Sequence, residues 1–195
     1  MVTRRDVDKE TFRIFGFAGS LRAGSYNRGL LRAASELLPA GTTIDVRGLG
    51  DIPAYNADAQ REGDPEPVHD FKRRIAAADA LLIATPEYNY SMPGVLKNGI
   101  DWASRPPKVC CLRQKPVGII GASTGEGGTI RAQLALRQVF VFTDSYVMVQ
   151  PEFRVAQATE RFDAASNLVD SETRERLRAF LVALVDWTNL VSRRD

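Results

Sequence analysis

Three short apolar runs, each ended by glycine, proline or a polar residue, constrain the fold of this chain most strongly. They are Phe12–Ala18 (FRIFGFA), 80–85 (ALLIAT) and 116–121 (PVGIIG). Near-continuous apolar runs of this length are typical of strands that are covered on both faces. Two further strands are predicted, a half-buried one at residues 43–47 and a last one at residues 146–149.

Helical patterns separate these strands, with apolar residues recurring at helical spacing. The predicted helices span residues 25–38, 67–78, 95–104, Ile130–Phe142 and Ser171–Val191, and residues 56–67 are predicted to form a polar loop. Strands that alternate with helices predict an α/β fold, a doubly wound parallel sheet with helices on both faces. Right-handed crossovers leave a few strand orders open, and ligands bind such sheets beyond the carboxyl ends of the strands.

Length and charge narrow the function classes. The chain has 195 residues, with 26 Lys and Arg against 24 Asp and Glu and a net charge of +2. This length predicts one domain over residues 12–195, after a charged, disordered lead-in at residues 1–11. The balanced charge gives no reason to expect nucleic-acid binding. Because no apolar segment approaches about 20 residues and the lead-in lacks the apolar core of a signal peptide, we expect a cytoplasmic protein without a membrane span.

Histidine and cysteine are too scarce for several kinds of catalytic or metal site. His69 is the only histidine, it lies in a charged stretch, and no nucleophile motif stands beside it. The two cysteines, Cys110 and Cys111, are adjacent, so they form neither a disulfide framework nor a tetrahedral zinc site. We therefore predict no metal site and no histidine-based nucleophilic catalysis, and we interpret both cysteines as packing residues.

The loop after the first strand carries the residue types of an anion site. Residues 19–27 (GSLRAGSYN) run into the predicted helix. The hydroxyls of Ser20 and Ser25, the Arg22 guanidinium, the Asn27 amide and the free N–H groups at the helix start suit one phosphate monoester. The loop has the glycine spacing of a P-loop but no lysine after it, and it lacks the G-x-G-x-x-G spacing. A helix simply capped by Ser25 is the alternative interpretation.

Two more loops follow the third and fourth predicted strands. Residues 86–94 (PEYNYSMPG) offer backbone donors beside flat tyrosine rings, which suits a planar heteroaromatic ring, although a surface loop packed on the core has the same composition. Residues 121–128 (GASTGEGG) have small side chains that allow a ring to approach the backbone closely. A plain flexible loop has the same composition.

Together the three loops resemble the NAD(P)H-dependent FMN reductase family, which has a flavodoxin-like fold and includes quinone, azo-dye and chromate reductases. The matching stretches are residues 19–27 (GSLRAGSYN), 86–105 (PEYNYSMPGVLKNGIDWASR) and 121–138 (GASTGEGGTIRAQLALRQ). The resemblance implies a five-stranded sheet of order 2-1-3-4-5, FMN as cofactor and NADPH or NADH as hydride donor. It implies that FMN is bound by Ser20, Arg22, Ser25, Tyr26, Asn27, Pro86, Glu87, Tyr88, Asn89, Ser123 and Gly125.

The implied activity is transfer of hydride from NAD(P)H to FMN and of electrons onward to quinones, free flavin, azo compounds or chromate. No protein acid or base is needed for hydride transfer, which agrees with the scarcity of histidine. Two alternatives stay open at this point. One is a flavodoxin-type FMN electron shuttle that does not oxidise nicotinamide, and the other is a phosphate- or nucleotide-binding regulator that uses only the first loop.

The resemblance also implies a homodimer or homotetramer. The helix near Pro93 carries two apolar stripes about 100° apart, and one of them includes Trp102. We expect one stripe to face the sheet and the other to place Trp102 at a contact between subunits, while a broad face buried within one chain is the alternative. Arg131 and Glu152 are further candidates for charged contacts between subunits.

Overall fold

The computed structural model describes residues 11–192 as a parallel sheet with helices on both faces. The predicted lead-in, apart from Thr11, lies outside the described residues. The strands are β1 (Phe12–Ala18), β2 (Thr42–Arg47), β3 (Ala80–Ala84), β4 (Pro116–Ala122), β5 (Tyr146–Val147) and β6 (Phe153–Val155). The helices are α1 (Tyr26–Glu36), α2 (Ala57–Glu62), α3 (Glu66–Ala77), α4 (Gly94–Ala103), α5 (Ile130–Phe142) and α6 (Ser171–Val191).

The sheet has the order β2-β1-β3-β4-β5 with every pairing parallel, so the predicted flavodoxin-like topology is confirmed. Strands β3 and β4 are buried along their whole length, in agreement with their continuous apolar sequences. Helices α1 and α6 pack on one face around Leu30, Leu31 and Leu181. Helices α3, α4 and α5 cover the other face.

The fifth position of the sheet differs from the prediction of one strand at residues 146–149. Strand β5 pairs with the start of β4, and β6 pairs with the end of β4. Between them lies Pro151, which has no N–H to donate to a ladder. The end of β6 lies beside the loop that follows β4, where the Ser123 N–H donates to the Val155 carbonyl at 3.0 Å.

Helix α2 is absent from the prediction, because residues 56–67 were expected to form a loop. It has six residues and buries none of them, so it leaves no apolar periodicity in the sequence. Its start is fixed by Asn56, whose side-chain oxygen accepts from the Asp58 N–H at 2.8 Å. Among residues 11–192, no helix has both the length and the apolar character needed to cross a bilayer.

The expectation that Trp102 lies at a subunit contact is wrong. Its side chain is 0% exposed within this one chain. Its Nε1–H donates to the Pro53 carbonyl at 2.9 Å, and its ring meets Tyr55 edge-on at 5.0 Å. The Asn98 amide also bonds the Pro53 carbonyl and the Tyr55 N–H. The second stripe of α4 is thus covered by the loop after β2, which is the alternative of a broad buried face.

Candidate functional site

The loops after β1, β3 and β4 meet at the carboxyl edge of the sheet and line one open cleft. Nine of the eleven predicted residues line it, together with Ala122 and Thr124, which sequence reasoning missed although they adjoin Ser123. Asn89 and Gly125 do not line the cleft. Each directly follows a lining residue in the sequence, Tyr88 and Thr124 respectively. The lining residues are Ser20, Arg22, Ser25, Tyr26, Asn27, Pro86, Glu87, Tyr88, Ala122, Ser123 and Thr124.

The phosphate end of this cleft is built on the first turn of α1. Ser25 is the N-cap, and its Oγ accepts from the Arg28 N–H at 3.3 Å. The N–H groups of Tyr26 and Asn27 have no acceptor within the helix and are available to an anion. The guanidinium of Arg22 lies over the Tyr26 ring at 5.8 Å and adds a positive charge to this end of the cleft. The set contains donors and a cation, as a phosphate monoester requires.

The Asn27 side chain is hydrogen-bonded to the end of β4. Its Nδ2 donates to the Ala122 carbonyl, its Oδ1 accepts from the Ala122 N–H, both at 2.9 Å, and the pair is buried. The amide therefore joins the start of α1 to the end of β4, with one of its two Nδ2 hydrogens used there, and its contact with phosphate stays a prediction. The backbone N–H of Asn27 still faces the anion position at the helix start.

Glu87 also caps the N-terminus of helix α5. Helix α5 has no side-chain cap of its own at Thr129. The Glu87 carboxylate supplies one by accepting from the N–H groups of Arg131, at 2.9 Å, and Ala132, at 3.3 Å, and it pairs with the Arg131 guanidinium. Burial alone raises the pKa of Glu87, but these hydrogen bonds and the Arg131 charge outweigh it, so the pKa lies below its usual value.

Both charged residues proposed for subunit contacts have partners within the chain. Arg131 is held by Glu87 and stacks on the Tyr90 ring at 3.8 Å. Glu152 pairs with Arg154 at 3.2 Å. Neither ion pair needs a second subunit.

The β3 loop exposes two tyrosines through a tight turn. Tyr88 and Ser91 exchange both backbone hydrogen bonds, at 2.9 and 3.0 Å. Between them Asn89 has a φ of 49° and Tyr90 a φ of 67°. Two successive positive φ angles define a type I′ turn, which asparagine tolerates and tyrosine rarely adopts. The Arg131 guanidinium stacks on the Tyr90 ring, and the loop exposes the Tyr88 and Tyr90 rings to solvent.

The end of β4 packs closely against the end of β3 and the start of α5 because Gly121 has no side chain. A Cβ there would lie 1.9 Å from Thr129 Oγ1 and 2.6 Å from the Thr85 carbonyl oxygen. Beyond it, in the loop after β4, Ser123 Oγ accepts from the Gly125 N–H at 3.1 Å, and the Gly125 carbonyl accepts from the Gln157 N–H at 3.3 Å. The glycines of this loop therefore belong to a hydrogen-bonded turn that is fixed against the segment after β6.

The cysteines do not belong to this site. Cys110 is buried, and burial raises the pKa of the Cys111 thiol to about 12. A thiol with such a pKa is protonated and unreactive at neutral pH, which agrees with a packing role.

Comparison with known families covers the three loops that line this cleft. The family model described as NADPH-dependent FMN reductase matches residues 12–160, which include all three loops. The chain belongs to this family.

Members of the FMN reductase family resemble the chain over nearly its whole length. An NAD(P)H-dependent FMN reductase of Pseudomonas aeruginosa is 48% identical and aligns with 91% of this chain and 96% of its own. An NAD(P)H:quinone oxidoreductase of Solanum tuberosum is 44% identical, with 88% and 90% covered. The solved structure of FerB, a flavoenzyme NAD(P)H:(acceptor) oxidoreductase from Paracoccus denitrificans, superposes with a TM-score of 0.83 at 35% identity, with 92% and 98% covered.

Proposed function

We propose that the protein oxidises NAD(P)H with FMN held in the cleft between the β1, β3 and β4 loops, and passes the electrons to a small-molecule acceptor. The family to which the chain belongs is described as NADPH-dependent FMN reductase, and the Pseudomonas aeruginosa relative is named an NAD(P)H-dependent FMN reductase. The observation that carries the proposal is the donor set of the cleft: two serine hydroxyls, the α1 N–H groups and Arg22 at one end, and exposed aromatic rings at the other. This set fits a phosphate joined to a planar ring.

Each loop has its own part in this activity. Arg22, Ser20, Ser25 and the first turn of α1 bind the phosphate, and the backbone of the β3 and β4 loops supports the ring beside Tyr88. Bound FMN supplies the redox chemistry, accepting hydride from NAD(P)H and releasing two electrons to the acceptor. The single cleft carboxylate, Glu87, is neutralised by Arg131, so it does not repel an anionic cofactor.

Relatives support quinones as acceptors, since those from Solanum tuberosum and Burkholderia are named a quinone oxidoreductase and a 2-hydroxy-1,4-benzoquinone reductase. Free flavin, azo compounds and chromate remain within the proposed acceptor class. Because NAD(P)H is the donor, we propose a cytoplasmic site of action. A flavodoxin-type shuttle is not favoured, because the similar proteins are named for nicotinamide oxidation.

The direct test is turnover. Purified protein supplied with FMN is expected to oxidise NADPH or NADH when a benzoquinone is present, as measured by loss of nicotinamide absorbance. Tight FMN binding without oxidation of either donor would contradict the proposal and favour the shuttle. A protein that binds no flavin would contradict it and favour the regulator.

Arg22→Ala is expected to weaken FMN binding by roughly 1.5–3 kcal/mol, the range for a hydrogen bond to a charged group. Arg22 approaches the phosphate position without an ion-pair partner among the described residues. Fluorescence titration of FMN measures the affinity, and excess FMN is expected to restore turnover. Arg178→Ala is the control because Arg178 is an exposed arginine of α6 that does not line this cleft. Equal FMN affinity in the wild type and Arg22→Ala would remove Arg22 from the phosphate site.

We propose that the protein is a homodimer or homotetramer with α5, rather than α4, in the contact. The end of α5 exposes Val141 (82%) and Phe142 (73%), and Leu134 lies two turns before Val141 on the same side. Exposed apolar residues grouped in this way are typical of an interaction surface. Light scattering is expected to give at least twice the 21.5 kDa chain mass.

Val141→Asp is expected to lower that mass toward the single chain, whereas Val182→Asp, an exposed valine of α6, leaves it unchanged. A wild-type mass near 21.5 kDa at micromolar concentration would contradict the oligomer.

A further inference from the structure

A second cleft lies on the opposite side of the β1 loop from the flavin site. It has a volume of about 380 Å³, within the range of small-ligand sites, and opens between α1 and the end of β2. Its lining residues are Ala18, Ser20, Leu21, Arg28, Leu31, Arg32, Val46, Arg47, Gly48 and Gly50. Apart from Ser20, none of these residues takes part in the proposed binding of FMN.

The floor of this cleft is apolar and partly open to solvent. Ala18 and Leu31 belong to the buried core, while Leu21 and Val46 are large apolar side chains that are about half exposed. Gly48 and Gly50 add no side chains above them. Apolar side chains of this kind beside an open backbone suit a planar base.

The walls of this cleft are basic, and its three arginines differ in whether a carboxylate pairs with them. Arg47 is paired with Asp51 and Asp70, so its charge is balanced. Arg32 bonds only neutral groups, namely the carbonyls of Ala165 and Ser166 and the side-chain oxygen of Asn167. Arg28 makes no side-chain hydrogen bond or ion pair with any residue in 11–192. The cleft therefore holds two guanidinium groups without a hydrogen-bonded carboxylate. An acidic group nearby is Asp163, whose pKa is lowered by the Asn167 N–H and also by the Arg32 charge.

The two clefts adjoin, because Ser20 lines both. A ligand at the flavin can pass over the β1 loop and place a second group beside Arg28. We infer that this cleft binds the adenosine 2′-phosphate end of NADPH, with the base on the Leu21 and Val46 surface and the 2′-phosphate at Arg28 and Arg32. The inference rests on the proposed function, because NAD(P)H is the donor there. Guanidinium groups form charge-assisted, often bidentate hydrogen bonds with phosphate, so the 2′-phosphate favours NADPH over NADH in this cleft.

The inference is tested by calorimetry on the FMN-loaded protein, with adenosine 2′,5′-bisphosphate and 5′-AMP as probes. The bisphosphate is expected to bind at least about 10-fold more tightly, the lower end of what a hydrogen bond to a charged group provides, and to compete with NADPH. Arg28→Ala is expected to remove most of this difference while leaving the affinities for FMN and 5′-AMP unchanged. The matched control is Arg178→Ala, an exposed arginine on α6 that does not line the cleft.

A second variant adds a charge instead of removing one. Val46→Glu places a carboxylate on the floor where the base packs, so it is expected to weaken both nucleotides, and to weaken bisphosphate binding by at least as much as Arg28→Ala does. Equal affinity of the wild type for the two nucleotides would overturn the inference, and so would unchanged bisphosphate affinity in both variants.

Turnover measurements distinguish a failure of this inference from a failure of the proposed function. With a quinone as acceptor, Arg28→Ala is expected to lower kcat/KM for NADPH about 10-fold and to leave kcat/KM for NADH unchanged. If the wild type oxidises both donors equally and the bisphosphate does not bind preferentially, the cleft assignment fails while the proposed function stands. If neither donor is oxidised, the proposed function fails, and the nucleotide titrations still decide what the cleft binds.

Discussion

Trp102→Ala is expected to lower the free energy of unfolding by about 3–5 kcal/mol, the range for truncating a buried aromatic residue. The Trp102 side chain is 0% exposed and lies between α4 and the loop after β2. Truncation leaves a cavity there and also removes the donor to the Pro53 carbonyl, whose other donor is the Asn98 amide.

Urea denaturation followed by circular dichroism measures this effect, and it does not depend on the lost fluorophore. Trp102→Phe is expected to lose less, because the ring volume is largely kept and only the hydrogen bond is removed. Leu190→Ala is the control, since Leu190 is a large apolar residue of α6 that is 55% exposed, and its change is expected within about 0.5 kcal/mol. A loss below about 1 kcal/mol for Trp102→Ala would show that this ring is not part of the core.

Trp102 also shows what the helical periodicity of a sequence does not predict. The sequence places Trp102 on an apolar stripe of α4, which is where the structure has it. What covers the stripe is a loop 49 residues earlier in the chain, held by hydrogen bonds from Trp102 and Asn98. A local pattern states that a face is apolar but does not identify the segment that packs on it, so a second subunit and a loop of the same chain were both compatible with it.

Strands and long helices were predictable where burial is strong. Phe12–Ala18, Ile130–Phe142 and Ser171–Val191 have the predicted bounds, because double-sided burial or a long amphipathic face extends over the whole element. The three-residue strand β6 and the surface helix α2 carry no such pattern, since one is too short for alternation and the other buries nothing. The strand order came from the family resemblance, because handedness alone leaves several orders open.

The position of the candidate site was predictable, and the partners of two of its side chains were not. Parallel strands bring their carboxyl ends to one edge, so chemistry placed after β1, β3 and β4 converges. Asn27, however, bonds Ala122, which is 95 residues away in the chain, and Glu87 bonds Arg131, which is 44 residues away. Residue types that suit phosphate or flavin also suit backbone capping, and only the tertiary structure distinguishes these uses.

Gly29→Ala is expected to lower the free energy of unfolding by at least about 3 kcal/mol, at the upper end of the range for overpacking. Gly29 lies inside α1, where alanine is intrinsically favoured over glycine by about 1 kcal/mol. Its Cα packs against the segment before α6, and a Cβ would lie 2.0 Å from the Ser166 carbonyl oxygen and 3.1 Å from the Phe162 ring. The Ser166 carbonyl also accepts from Arg32 at 2.8 Å, so it does not move away without losing that bond.

Gly94→Ala is the matched control, because Gly94 begins α4 and a Cβ there meets no heavy atom within 4 Å. The same chemical change at the two helix positions is expected to have opposite signs, since Gly94→Ala gains helix propensity without a contact to oppose it. Urea denaturation of both variants under identical conditions compares them. Because α1 also carries the phosphate end of the cleft, Gly29→Ala is expected to weaken FMN binding, whereas Gly94→Ala is not. Equal stability of the two variants would mean that α1 does not pack against residues 162–166 as described.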